Sequence, residues 1–200
     1  MTLWGGLRRY YARLGWPLTG EPPRLAAGVR FDALRLPAAA GLPLVARRPG
    51  GAAAGAGGAP LLGPALRAGG TVWVLLAEGA AAEVPGLLEW LEWGALADEL
   101  GLAPVGAGGS LPAPAPPGTP GGGPREAAVW LRPPVPGREG ERALPALVLG
   151  GRRPPGPAPD LVRLVDTAAA ECHRARLRRV RATAAAAAAA TRADQALAFS

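Results

Sequence analysis

The chain has 200 residues and a formal charge of +7, set by 22 arginines against 15 acids, which leaves room for one ordinary domain or a smaller one with tails, not two large domains. Its single cysteine, Cys172, excludes an internal disulfide and a multi-cysteine metal cage, and suits a reducing cytoplasm. With 30 glycines and 24 prolines but no lysine, asparagine or isoleucine, the chain carries low-complexity segments, its core rests on leucine, and its arginine excess reflects GC-rich coding as readily as nucleic-acid binding.

Leu3, Leu7, Tyr10, Tyr11 and Leu14 recur at helical spacing, with Gly15 placed to end the helix and Pro17 to prevent its resumption. Arg8, Arg9 and Arg13 break up the apolar residues there, so this stretch does not read as a signal peptide, and no run approaches the roughly 18 apolar residues of a membrane span. The expectation is a soluble, cytoplasmic protein with no membrane partner. From Val29 to Leu36, Val29, Phe31 and Ala33 alternate with Arg30, Asp32 and Leu34, a strand that stops at Pro37. A helix over Ala38 to Arg48 follows, and the Gly/Ala run from Pro49 to Ala59 reads as a flexible loop.

Leu61 to Arg67 and Thr71 to Ala77, joined by Ala68-Gly69-Gly70, have the turn chemistry of a hairpin, and Thr71-Val72-Trp73-Val74-Leu75-Leu76 is the strongest strand signal in the chain. A helix over Ala81 to Trp93 buries Val84, Leu87, Leu88 and Leu91, turns Glu83, Glu89 and Glu92 to solvent, and stops at Gly94. Leu96 to Val105 is weakly extended, Gly106 to Pro124 is too biased for regular structure, and Ala127 to Leu131 is a strand ended by Pro133-Pro134. The order strand, helix, strand, strand, helix, strand, with room for one extra strand before the last, is the split β-α-β pattern. It implies an α+β fold with an antiparallel or mixed sheet, two helices on one face and the other face open to a ligand or partner.

Beyond the low-complexity residues Gly137 to Pro159 the charge shifts. Nine arginines and four acids lie in residues 151–200. Asp160 caps a long helix whose apolar stripe is Leu161, Leu164, Val165, Ala168 and Cys172, and Ala184 to Ala190 extends it by propensity alone. Arg163, Arg174, Arg178 and Arg181 fall within about 60° of one another at about 100° per residue, forming one basic stripe. That stripe could neutralise backbone phosphates, or it could be the solvated side of an amphipathic helix in an arginine-rich chain. The segments are then 1–27 (N-terminal helix and connection), 28–135 (α+β domain), 136–159 (Pro/Gly-rich linker) and 160–200 (basic, Ala-rich helix).

Three words of the central region carry a resemblance. Gly28-Val29-Arg30-Phe31-Asp32-Ala33-Leu34-Arg35-Leu36-Pro37-Ala38-Ala39-Ala40-Gly41, then Val84-Pro85-Gly86-Leu87-Leu88-Glu89-Trp90-Leu91-Glu92-Trp93-Gly94, then Ala127 to Pro134, with Leu62-Gly63-Pro64 between the first two, resemble the bifunctional DNA primase/polymerase N-terminal (prim-pol) domain in its short, divergent versions from high-GC bacteria. The resemblance covers roughly residues 10 to 135 and implies a primase-type fold with an RRM-like core. It also implies two carboxylates at i and i+2 of a strand, holding two divalent cations against nucleotide phosphates, and a histidine on a later strand. Here Asp32 matches the first carboxylate, Leu34 stands at the second, and the only histidine, His173, lies outside the resembling region.

Asp32 is therefore the only candidate catalytic residue, and its plainer reading is a strand-end or solvent-facing acid. No metal site and no cofactor are expected; magnesium would enter only if the chain were active. Cys172-His173 are adjacent on a helix and point about 100° apart, which suits structure rather than a nucleophile and its base. Trp73 could stack a base or fill the core. Trp90 and Trp93 suit packing or a partner surface, and neither glycine run has a phosphate-loop pattern. The leading expectation is a degenerate, non-catalytic primase/polymerase-like protein with DNA as its partner. The alternatives are a regulatory or protein-interaction module that keeps only the fold, and an active nucleotidyltransferase.

Overall fold

The computed structural model describes residues 3–47, 62–119, 127–135, 144–147 and 160–198. The chain begins with helix α1 (Leu3–Leu14), closed by Gly15 in the left-handed conformation. A three-stranded antiparallel sheet follows, built from β1 (Leu18–Thr19), β2 (Arg24–Ala26) and, from far along the chain, β7 (Ser110–Pro112), in the order β1-β2-β7. The Arg24 side chain fixes that long-range pairing by donating to the hydroxyl and the carbonyl of Ser110 at 2.8 and 2.9 Å.

The second sheet has five strands, all antiparallel, in the order β6-β3-β5-β4-β8. β3 (Asp32–Pro37) runs into α2 (Ala38–Ala46). The hairpin β4 (Ala65–Ala68) and β5 (Thr71–Leu76) comes next, then α3 (Ala80–Trp90), a 3-10 turn at Gly94–Leu96, the one-turn helix α4 (Ala97–Leu100) and β6 (Ala103–Val105). β8 (Val129–Arg132) adds to the edge beyond β4, and α5 (Leu161–Ala198) ends the chain. The protein is thus α+β, with antiparallel sheets and a long C-terminal helix.

The four-strand unit β3-α2-β4-β5-α3-β6 has the split β-α-β connectivity, but its last strand is not the one the sequence favours. The weakly extended stretch before Val105 supplies β6, whereas the stronger signal at residues 127–131 becomes β8 on the opposite edge. The interval 106–124, read as a loop, holds β7. β3 starts at Asp32 rather than Val29, because Gly28 adopts φ +75° and its N–H turns back to the Phe31 carbonyl at 2.9 Å. The hairpin's first strand is Ala65–Ala68, shorter than residues 61–67 suggest, and the loop expected over 49–59 lies outside the described residues.

Register assigns the two faces of the large sheet. Asp32, Leu34 and Leu36 stand opposite Leu76, Val74 and Val72 on one face, which the helices cover. α2 approaches closely there: a Cβ on Gly41 would fall 2.4 Å from Val72 Cβ, so only glycine lets this helix settle at that depth. Half of α5 packs on the same layer, burying Leu161, Leu164, Val165, Ala168, Ala169, Cys172 and Ala175. Its cap is the expected one, Asp160 Oδ1 accepting from the Val162 amide at 2.9 Å.

The reverse face is not open across its centre, contrary to the expectation. Ala33, Leu66 and Leu75 are fully buried there. Trp130, opposite Leu66, comes within 6.3 Å of Trp16, and Trp16 lies 4.8 Å from Phe31, ring centre to ring centre. These aromatic contacts seat the N-terminal helix and small sheet against the large one. Tyr11 locks the arrangement by donating to the Pro114 carbonyl at 2.8 Å, and burial pushes its phenol well above the usual range.

Candidate functional site

Asp32 opens β3 on the helix-covered face and is 2% exposed. It stands at the strand's end, as expected, but does not face solvent. Helix α3 begins after Gly79, which has no side chain with which to cap it, so the first-turn amides need acceptors from elsewhere. Asp32 Oδ2 accepts from the Ala81 amide at 2.9 Å, placing a carboxylate at the positive end of the α3 dipole. Gly106 approaches from β6's far end, where a Cβ would lie 3.7 Å from both carboxylate oxygens. Asp32 is thus a cap delivered from another element of the fold. Leu34, two residues on, is fully buried beneath the helices. Among the described residues, no three His, Cys, Asp or Glu side chains group as a metal site would require.

The four arginines of the sequence-defined stripe stay on one side of α5 but meet different surroundings along it. Arg163 is half-buried in the first turns of α5, where its amide faces Asp160 and its carbonyl accepts from Thr167 at 2.7 Å. Arg174 pairs at 2.7 Å with Glu171, which is buried and also holds Arg47 of the chain just past α2. Arg178 reaches the Ala39 carbonyl at 3.5 Å. That carbonyl has no helical donor because Pro43, four residues on, lacks an N–H. Arg181 is fully in solvent's reach.

The division follows from where α5 meets the body. Up to Arg176, which pairs with Glu99 of α4, the helix is anchored. From Leu177 to Arg192 every residue is exposed on every side of the helix. This exposed stretch carries Arg178, which touches the Ala39 carbonyl at its start, then Arg179, Arg181 and Arg192, and no acid, and at about 1.5 Å per residue it extends roughly 24 Å. Arg179, at about +100° from Arg178, falls outside the stripe and was missed for that reason, whereas Arg192, at about −40°, continues the stripe beyond Arg181 and the alanine run. Their signal is the replacement of the leucine-valine period by alanine after Val180, which marks where packing ends and where all arginines, not one stripe, meet solvent.

Trp73 is 9% exposed on the reverse face, between its cross-strand neighbours Arg35 and Leu66, and fills the core rather than offering a stacking surface. Trp93, in the turn after α3, donates to Asp166 at 3.0 Å and packs against His173 at 5.9 Å, tying that turn to α5. Beside it, Cys172 is buried, and burial followed by the Glu171 charge pushes its thiol up to about 12. It is therefore no nucleophile at neutral pH. No described helix is long and apolar enough to cross a membrane.

Fold and site together define an α+β protein whose buried strand acid among the described residues, Asp32, is a helix cap and whose C-terminal helix carries an exposed, acid-free cationic half. No family model, curated protein or solved structure matches the chain.

Proposed function

We propose that this is a non-catalytic relative of primase/polymerase-type domains that binds nucleic acid through the free half of α5. One observation carries the binding reading: residues 177–192 present four arginines, of which Arg178 also reaches the Ala39 carbonyl, and no acid, on a stretch of helix that no other described element covers. Fixed cationic charge on an exposed rod suits a polyanion, since each phosphate neutralised releases condensed counterions. The prim-pol resemblance gives the ancestry. The strand order of β6-β3-β5-β4, with both crossover helices on one face, agrees with the RRM-like core such a relative would have.

The loss of nucleotide transfer follows from β3. At the two positions where the resemblance calls for metal-binding carboxylates, Asp32 is spent on the Ala81 amide and Leu34 sits under the helices. An acid restored at Leu34 would point into the core, so a single substitution would not rebuild a two-cation site. The buried, unpaired Cys172 suits a reducing cytoplasm.

A protein-interaction reading has one feature in its favour: Trp90 of α3 is 71% exposed. The discriminating experiment is anisotropy titration of labelled DNA between about 50 and 200 mM salt. Affinity should fall steeply with salt, with a log–log slope of about −3 to −4 if all four arginines meet phosphate, and Arg178→Gln should remove about one unit of slope. No binding at low salt, with a defined complex in its place, would establish the interaction reading. Primer synthesis that vanishes in Asp32→Ala would overturn the non-catalytic one.

A further inference from the structure

The free half of α5 has a shape as well as a charge. Taking Arg178 as the origin and about 100° per residue, Arg181 and Arg192 stand at about −60° and −40°, and Arg179 at about +100°. Between these two flanks, at about +20°, +40° and +80°, lie Ala189, Ala182 and Ala186. The bulkier apolar residues Leu177 and Val180, 38% and 56% exposed, are on the opposite side. One side of the rod is therefore a strip of methyl groups with three guanidinium groups along one margin and one, Arg179, at the start of the other.

Resting on the nucleic-acid reading above, we infer that this strip enters the major groove of double-stranded DNA. A helix about 10–12 Å across matches a B-form major groove about 12 Å wide and 8.5 Å deep. Alanine keeps the groove-facing side at the slim end of that range. Arg181 and Arg192 then lie toward one phosphate wall, joined by Arg178 once it exchanges its 3.5 Å bond to the Ala39 carbonyl for a phosphate, Arg179 lies toward the other, and the alanine methyls face the base edges, where thymine methyls offer apolar contact. An A-form RNA duplex has a major groove too narrow for this, and a single strand has no groove, so charge alone would not separate these partners but shape would.

The test uses the full chain and three labelled probes of one sequence: a 20-base-pair DNA duplex, the RNA duplex and single-stranded DNA. The DNA duplex should bind about tenfold more tightly than either of the others at equal salt. A DNA duplex with bulky C5 substituents filling its major groove should lose that advantage. The variant A182L/A186L/A189L keeps charge and helix propensity and touches no packed residue, yet it thickens the strip. It should weaken DNA-duplex binding about tenfold and leave RNA-duplex binding within about twofold. Equal affinity for all three probes, or full DNA-duplex affinity in the alanine-to-leucine variant, overturns the groove inference while leaving salt-dependent binding intact. Absence of binding to every probe removes both readings.

Discussion

Replacing Asp32 tests the step on which the loss of catalysis rests. In Asp32→Ala the Ala81 amide stays buried near the sheet with no acceptor, since Gly79 cannot supply one. A lost cap costs roughly 0.5–2 kcal/mol, and an orphaned buried amide roughly 1–3 kcal/mol. These describe the same bond, so they overlap; with a small cavity added, the total is about 2–3 kcal/mol. For a chain of this length that lowers the melting temperature by roughly 5–10 °C. Asp32→Asn keeps an oxygen for the amide and loses mainly the charge at the helix terminus, about 1 kcal/mol. Urea unfolding followed by far-UV circular dichroism, with unchanged m-values, should therefore rank wild type above Asn above Ala. A metal-ligating acid behaves differently: removing a carboxylate without a structural partner relieves strain, and both variants gain stability together. Equal or raised unfolding midpoints in Asp32→Ala would refute the capping role and reopen the catalytic one.

The remaining predictions concern the anchor of α5. Glu171 is buried between Arg47 and Arg174, whose side chains are 34% and 53% exposed. Because the arginines keep much of their hydration, Glu171→Gln should cost about 2 kcal/mol, below the roughly 3–5 kcal/mol of a fully buried pair. Hydrogen exchange should quicken across residues 161–176, and an unchanged exchange pattern would show that apolar packing alone holds the helix. The raised Cys172 thiol also links stability to pH. The unfolded chain ionises this thiol above about pH 9 and the folded chain only near 12, so the folded state holds the extra proton and loses stability as pH rises between those values. The loss is up to about 1.4 kcal/mol per pH unit. Cys172→Ala should flatten that decline between pH 9 and 11, and the native thiol should resist disulfide reagents at pH 8. Parallel pH–stability curves for the two proteins would count against it.

Local signals in the chain were enough to specify the elements whose hydrogen bonds are themselves local. The hairpin around Gly69-Gly70, helix α1 ending at Gly15, and α5 from its Asp160 cap all follow from turn chemistry, capping and apolar period, which act within a few residues. The order from β3 through α2, the hairpin and α3 was legible for the same reason, whereas β1 and β2 were not. What the sequence could not decide are pairings whose partners lie far apart. β7 is three residues long and gains its hydrogen bonds from β2, with Arg24 and Ser110 86 positions apart, so nothing near residue 110 announces a strand. β6 and β8 exchanged their expected places because edge position is settled by which backbone is left unpaired, not by β-propensity. Asp32 shows the same limit at a single side chain. Its strand was visible, but its acceptor role depends on an amide 49 positions away. The burial of Leu34 and the exposure of Arg179 and Arg192 likewise depend on where α3 and α5 come to rest. Tertiary packing alone fixes which of a residue's neighbours compete with water for its polar and charged groups, and it is that competition that turned an apparent metal ligand into a helix cap.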